Sequence, residues 1–152
     1  KAFGMKVLVN TPHPNPNKFK DVNFVDFDTL CKESDLITCH CPLTLKTEGI
    51  INKDAISKMK SSTVIINTSR GPVVNETDLA EALNSERIGG AGVDVLSVEP
   101  PRNDNPLLSA KNCIITPHIA WAAFETRERL LKILEENLKA FIEGHPQNVV
   151  NK

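Results

Sequence analysis

The chain has 152 residues, 40% of them apolar and 24% charged, with a formal net charge of −1. That length fits one ordinary domain with enough apolar content for a core, and the balanced charge, with no long run of either sign, argues against nucleic acid or an anionic membrane surface as partner. No apolar run reaches the roughly 20 residues that span a bilayer, and KAFGMKVLVN lacks the features of a signal peptide, so the expected setting is cytoplasmic with a small-molecule partner.

In chain order, short apolar β-rich runs are expected at Lys6–Asn10, Asn23–Val25, Leu36–His40, Thr63–Asn67, Ala91–Val95 and Cys113–Thr116. They are continuous rather than alternating, which is the pattern of strands buried on both faces of a parallel sheet. Helices are predicted between them. Asp26 is placed to cap a short helix through Leu30 and Cys31, and Asn52 one that carries Ala55, Ile56 and Met59 on one side. Asn75, with Asp78 three places on, is placed to cap a helix carrying Leu79, Ala82 and Leu83. Strand and helix in alternation predict an α/β fold, a doubly wound parallel sheet of Rossmann type. The last segment, Ala122–Glu143, predicts a long helix with Leu130, Leu134, Leu138 and Phe141 in one stripe, ended by Gly144 and Pro146. Leu131, Ile133 and Ile142 widen its apolar surface, which suits a second domain or subunit as well as the chain's own sheet.

A dinucleotide-binding fold starts with a strand and a G-x-G-x-x-G turn whose amides meet the pyrophosphate at a helix N-terminus. No such turn occurs in these residues, and Lys1-Ala2-Phe3-Gly4 reads as the tail of a helix entering the second strand. The expectation is therefore a nucleotide-binding domain over residues 1–121 without its first strand and helix, followed by a helix and tail over 122–152.

The cysteines, Cys31, Cys39, Cys41 and Cys113, sit in strand-like or helical segments rather than a stapled, loop-rich frame, and are expected reduced. On a strand, Cys39 and Cys41 point to one face and His40 to the other, so the three do not converge on a metal ion. No metal is expected.

In open α/β sheets ligands bind beyond the carboxyl ends of the strands, and the chemically distinctive residues collect there. Pro42 and Thr44 follow the run ending at His40, and Ser69 and Arg70 the one ending at Asn67. Asp94 and Glu99 lie at and after the run ending at Val95, and Pro117-His118 follow Thr116. Arg70 offers a permanently charged planar fork that matches a carboxylate. His118 can exchange a proton near neutral pH, and a carboxylate such as Glu99 against the imidazole would keep it protonated for use as an acid. Each residue alone has an ordinary reading, as a surface arginine, a loop glutamate or a structural histidine. Together at the strand ends they form an acid and an anchor for a small organic acid. His13, in a proline-rich loop, His40, on an expected buried strand, and His145, past a helix cap, read as structural.

SDLITCHCPLTLKTEGIIN, MKSSTVIINTSRGPVVNETDLAEAL, GGAGVDVLSVEPP and TPHIAWAA, in that order, resemble the signature segments of the D-isomer-specific 2-hydroxyacid dehydrogenases. The resemblance covers essentially the whole chain. Within the family, VEPPRNDNPLL followed by PHIAWA is most similar to the glycerate dehydrogenase, or hydroxypyruvate reductase, branch. It implies a bilobal, homodimeric enzyme whose nucleotide domain is most of this chain, with the C-terminal helix returning to a substrate domain that lies elsewhere. Residue by residue, it implies catalytic roles for Arg70, Glu99 and His118. It places the cofactor along Thr11, Cys41, Pro42, Thr68, Ser69, Arg70, Asp94, His118 and Ala120, and the substrate at Arg70, His118 and Trp121. The implied reaction interconverts hydroxypyruvate or glyoxylate with D-glycerate or glycolate, using NAD. The alternatives are a relative acting on another substrate of the class, D-lactate, phosphoglycerate or another 2-oxo acid, and a non-enzymatic, NADH-sensing corepressor. Formate dehydrogenase relatives are expected to carry glutamine where Glu99 stands.

One departure bears on the cofactor. NAD-preferring members usually place an acidic residue after the second strand, to accept hydrogen bonds from the adenine ribose, and here VLVNTPHP places Thr11 there after Asn10. The carboxylate that would repel a 2′-phosphate is absent, but so is an arginine to attract one. NAD is expected, with NADP open.

Overall fold

The computed structural model describes residues 2–151, so Lys1, one residue of the expected helix tail, lies outside the described residues. The chain divides into two compact units at Pro117 and His118.

Among the described residues the first unit contains six parallel strands: β1 (Leu8–Val9), β2 (Asn23–Phe24), β3 (Leu36–Cys39), β4 (Val64–Asn67), β5 (Gly90–Val93) and β6 (Cys113–Ile115). β1 and β2 form a two-stranded sheet, and the others a four-stranded sheet in the order β3-β4-β5-β6. The register Ile37↔Ile65↔Ala91↔Cys113 places Ile37, Ile65 and Ala91, and two residues on Cys39, Asn67 and Val93, on one face. Three helices pair with this pattern: α1 (Phe27–Glu33), α2 (Lys53–Lys58) and α3 (Glu76–Asn84). Their apolar stripes, including Cys31, Ala55, Ile56, Leu79 and Leu83, join the strand residues in one buried cluster. Parallel strands need crossovers of this kind, which is why strand and helix alternate.

The helix starts follow from local chemistry. Asp26, Asn52 and Asn75 each accept the backbone N–H three residues on, from Thr29, Ala55 and Asp78. Asp78 does not close a capping box. Its carboxylate accepts the Lys53 N–H at 2.8 Å instead, tying α3 to the first turn of α2.

The expected burial of the strands on both faces needs correction. The second face stays open in this unit: Leu36 is 48% and Ile114 72% exposed, Thr38 is exposed, and Val64 and Ile66 are half-buried. The continuous apolar runs carry residues suited to a covered sheet, but helices of the first unit cover one side only. His40 likewise is not buried. It follows β3 as an exposed residue, with Nε2 2.9 Å from the Thr38 hydroxyl. All four cysteines carry free thiols, and Cys39 is buried.

The second unit is dominated by α4 (Phe124–Ile142). It begins after Ala123, which supplies no side-chain cap, two positions inside the expected start at Ala122. Gly144, at φ 78°, provides the left-handed residue that ends it. Leu130, Leu134, Leu138 and Phe141 are all more than half exposed, so α4 buries no residue of its own. Among the described residues no helix is long and apolar enough to cross a membrane.

Candidate active site

Because β3 to β6 are parallel and in register, the segments that leave them emerge at one edge of the sheet. Within the first unit, the segments after β3, β4 and β5 carry residues selected from the sequence.

After β3 comes the Cys41–Thr44 loop. The Thr47 hydroxyl donates to the Pro42 carbonyl at 2.6 Å, and the Thr44 N–H donates to the Thr47 hydroxyl at 2.8 Å, so the loop is held by a side chain six residues or fewer away. Cys41 is half-buried against the core while Pro42 is exposed. The loop is joined to the next segment by Gly49 N–H to the Pro72 carbonyl at 2.8 Å and by an isolated bridge between Ile51 and Val74.

After β4 the chain turns through Thr68, Ser69 and Arg70 into a short 3-10 turn at Gly71–Val73. Thr68 and Arg70 are exposed and Ser69 is half-buried. Arg70 Nη1 donates to the Ser69 carbonyl at 2.7 Å, which leaves other guanidinium donors for a ligand. The turn is organised by Asn67, 1% exposed: its carboxamide oxygen accepts the Ser69 N–H at 3.1 Å and hydroxyl at 2.9 Å, and its nitrogen donates to the Arg70 carbonyl at 3.0 Å.

After β5, Asp94 is 6% exposed, its N–H on the Asn67 carbonyl and its carboxylate accepting the Thr116 hydroxyl at 2.5 Å. It thereby joins the ends of β4, β5 and β6. The following loop carries Glu99, an exposed residue whose Oε1 accepts the Leu96 N–H at 2.9 Å, and the Glu99–Pro100 peptide is cis. The same loop is gripped by Glu76, at the start of α3. One Glu76 oxygen accepts the Ser97 N–H at 2.7 Å and the other the Asn105 side chain at 2.9 Å.

The Arg70 and Glu99 segments meet through Gly71. A Cβ there would fall inside the van der Waals surface of the Leu96 carbonyl and the Ser97 nitrogen, so only glycine permits the approach. Arg70, Ser69, Asp94 and Glu99 thus belong to one set of interlocked turns in the first unit. His118, Ala120 and Trp121 open the second unit; His118 has a left-handed backbone at φ 53°, rare for a residue with a side chain, and Trp121 is 52% exposed. Thr11 lies at the edge past β1, its hydroxyl accepting the His13 N–H at 3.3 Å, and Asn10 is engaged with the Val25 carbonyl at 3.0 Å.

Asn67 and Glu76 were not singled out in the sequence. Asn67 had one signal, a carboxamide ending an apolar strand with serine two residues later, the spacing of a side-chain-closed turn.

A parallel sheet with crossover helices on the covered face and polar turns at its carboxyl edge is a nucleotide-binding α/β domain. The chain belongs to the D-isomer specific 2-hydroxyacid dehydrogenases: their NAD binding domain matches residues 1–120. A hydroxypyruvate reductase of Blautia hydrogenotrophica is 52% identical over 153 residues, covering 100% of this chain and 48% of that protein. A glycerate dehydrogenase of Methylorubrum extorquens is 44% identical, covering 99% and 46%. The NAD-complexed D-isomer specific 2-hydroxyacid dehydrogenase from Lactobacillus delbrueckii ssp. bulgaricus superimposes with a TM-score of 0.88 at 30% identity, over 99% of this chain and 50% of that one. The chain spans about half the length of the relatives it matches.

The residues present fit one end of such a dinucleotide. Thr68 and Arg70 lie exposed on the turn after β4, and the Asp94 carboxylate is buried after β5, polar groups of the kind that a nicotinamide and its ribose would meet. The glycine turn that would cradle the pyrophosphate is not among these 152 residues.

Proposed function

We propose that the whole protein is an NAD-dependent oxidoreductase interconverting hydroxypyruvate or glyoxylate with D-glycerate or glycolate. The observation that carries this reading is the interlocking of the Arg70 and Glu99 turns through Gly71, which sets a carboxylate-binding fork and an acidic side chain on neighbouring turns of the ligand edge. The names of the relatives, hydroxypyruvate reductase and glycerate dehydrogenase, support the substrate class.

In this reading residues 1–121 form the nucleotide-binding domain, and 122–152 the helix and tail that pack on it and on a substrate domain. Thr11, Cys41, Pro42, Thr68, Ser69, Asp94 and Ala120 line the cofactor, and Trp121 the substrate. The bound nicotinamide supplies or receives a hydride. Arg70 holds the substrate carboxylate through its fork and polarises the adjacent carbonyl. His118 gives a proton to the carbonyl oxygen, and Glu99 keeps the imidazole oriented and protonated. Oxidation returns the proton to His118. The family resemblance also supports a cytoplasmic homodimer.

The test is NADH and NADPH oxidation by the full-length protein with hydroxypyruvate, glyoxylate and pyruvate, beside a His118→Ala variant. The expected outcome is turnover of hydroxypyruvate that falls about 10²–10⁴-fold in the variant, the range contributed by a positioned general acid. No turnover of any 2-oxo acid, or an unaffected variant, would overturn the reading.

A further inference from the structure

We propose that Asn67 is a positioning residue, holding the turn that aims the Arg70 guanidinium at the substrate carboxylate. The inference rests on Arg70 being that carboxylate's anchor.

A side chain at the carboxyl end of a central strand normally packs or faces ligand. The carboxamide of Asn67 is packed away from ligand, 1% exposed, and its hydrogen bonds run into its own next three residues. It accepts from both the N–H and the hydroxyl of Ser69, and it donates to the carbonyl of Arg70. An amide oxygen accepts two such bonds and its nitrogen donates two, so this arrangement uses most of what the group can offer. The main-chain atoms of Asn67 are fixed as well. It pairs with Cys39 on one side and Val93 on the other, and its carbonyl accepts the Asp94 N–H at 2.9 Å. One buried group therefore transmits the position of the central strand to the residue that binds substrate.

The geometry at Arg70 shows why such a hold is needed. Its backbone is extended at φ −144° and ψ 138°, it supplies no side-chain cap to the 3-10 turn after it, and its side chain is exposed. The next residue, Gly71, is pressed against the Leu96 backbone. Arg70 is thus fixed from behind by Asn67 and from ahead by Gly71, while the guanidinium donors beyond the Nη1 bond to the Ser69 carbonyl remain for a ligand. Without the carboxamide, the Ser69 N–H and hydroxyl lose their acceptor, the Arg70 carbonyl is left with the Val73 N–H alone, and the turn can relax. A long, flexible arginine then samples rotamers that miss a bidentate contact, and a misplacement of about 1 Å in a positioning group can lower rate about 10²-fold.

The experiment is a double-mutant cycle on the full-length protein, with kcat/KM for hydroxypyruvate measured at saturating NADH for wild type, Asn67→Ala, Arg70→Ala and the double variant. A positioning role predicts a tenfold or larger loss for Asn67→Ala, expressed mainly in KM, and little further loss when it is added to Arg70→Ala. Equal losses in both backgrounds would overturn the proposal, because Asn67 would then act on the fold and not through Arg70. An Asn67→Ala effect below twofold would overturn it as well. Asn67→Asp provides the second variant should alanine unfold the protein: it keeps the volume and the two accepted bonds but sets a carboxylate oxygen against the Arg70 carbonyl in place of the donated bond, and should raise KM at least as much as alanine does. An Asn67→Asp protein with wild-type KM would count against the proposal. If Arg70→Ala leaves kcat/KM unchanged, the assignment of the anchor itself fails, an outcome distinct from additivity.

Discussion

Gly71→Ala offers a sharp test of how the ligand edge is built. The added methyl would overlap the carbonyl carbon and oxygen of Leu96 and the nitrogen of Ser97, all main-chain atoms that cannot rotate away as the end of a side chain would. The Leu96 segment is itself restrained: its side chain is 7% exposed, its N–H is on Glu99, and Ser97 N–H is on Glu76. On the other side, Asn67 and the Val73 N–H to the Arg70 carbonyl hold the Gly71 turn in place. Relief therefore requires one backbone segment to move, and overpacking of this kind falls at the upper end of the usual cost, about 3 kcal/mol. For a cooperative unit of this size that corresponds to a midpoint lowered by about 6–12 °C. The movement also separates the Arg70 turn from the Glu99 loop, so kcat/KM should fall about 10²-fold in protein that remains folded at assay temperature. Thermal melting and steady-state kinetics of the full-length protein check both parts. Gly49→Ala and Gly144→Ala are the controls, since nothing lies within 4 Å of either added methyl and only the left-handed backbone resists them, at about 1–2 kcal/mol. A Gly71→Ala protein that melts within 2 °C of wild type (roughly 0.5–1 kcal/mol) with unchanged kcat/KM would refute the close-approach reasoning.

Two further outcomes are expected. Burial, with a smaller contribution from Cys41, pushes the Cys39 thiol up to about 12, from an ordinary 9.0. The folded state then keeps its proton where the unfolded state loses it, so the stabilisation is complete below about pH 9 and declines above it by up to about 1.4 kcal/mol per pH unit until about pH 12. Urea melts between pH 8 and 10.5 should show this slope and show it shrink in Cys39→Ala; parallel pH profiles would sink the idea. At the other end of the edge, Thr11→Asp supplies a carboxylate where the chain has a hydroxyl, and should lower the NADPH:NADH ratio of kcat/KM tenfold or more, about 1.4 kcal/mol of added repulsion. A ratio unmoved by the substitution would show that Thr11 does not face the adenine ribose.

What could be read from the sequence follows the range of the interactions. Asp26, Asn52 and Asn75 cap helices through bonds to residues three positions on, so composition and spacing reveal them. Strand and helix alternation likewise gave the parallel order. The open sheet face was not legible: Leu36, Val64, Ile66 and Ile114 are the residue types of a covered sheet, and their exposure depends on what packs there, which periodicity does not encode. Asp78 shows the same limit at smaller scale, since its spacing matched a capping box while its carboxylate serves Lys53 on another helix. The grip of Glu76 on Ser97 and Asn105 joins segments distant in sequence and leaves no local pattern.

The residues proposed for chemistry and the residues that hold them differ in burial, and the difference explains which could be found. Arg70, Glu99 and His118 are exposed, as groups that meet a ligand must be, and each is conspicuous by residue type at a strand end. Asn67, Gly71 and Leu96 are buried and chemically ordinary, and their importance lies in contacts. Asp94 belongs to both groups: its strand-end position marked it, yet its carboxylate is bonded to Thr116 and its N–H to Asn67. A buried carboxylate that joins three strand ends constrains the edge in the way Asn67 does, so its loss should disturb neighbouring turns as well as any contact with the nicotinamide. Where a strand ends in a ligand site, a short polar side chain buried there is therefore better read first for the turn it closes, and only afterwards for a ligand it touches.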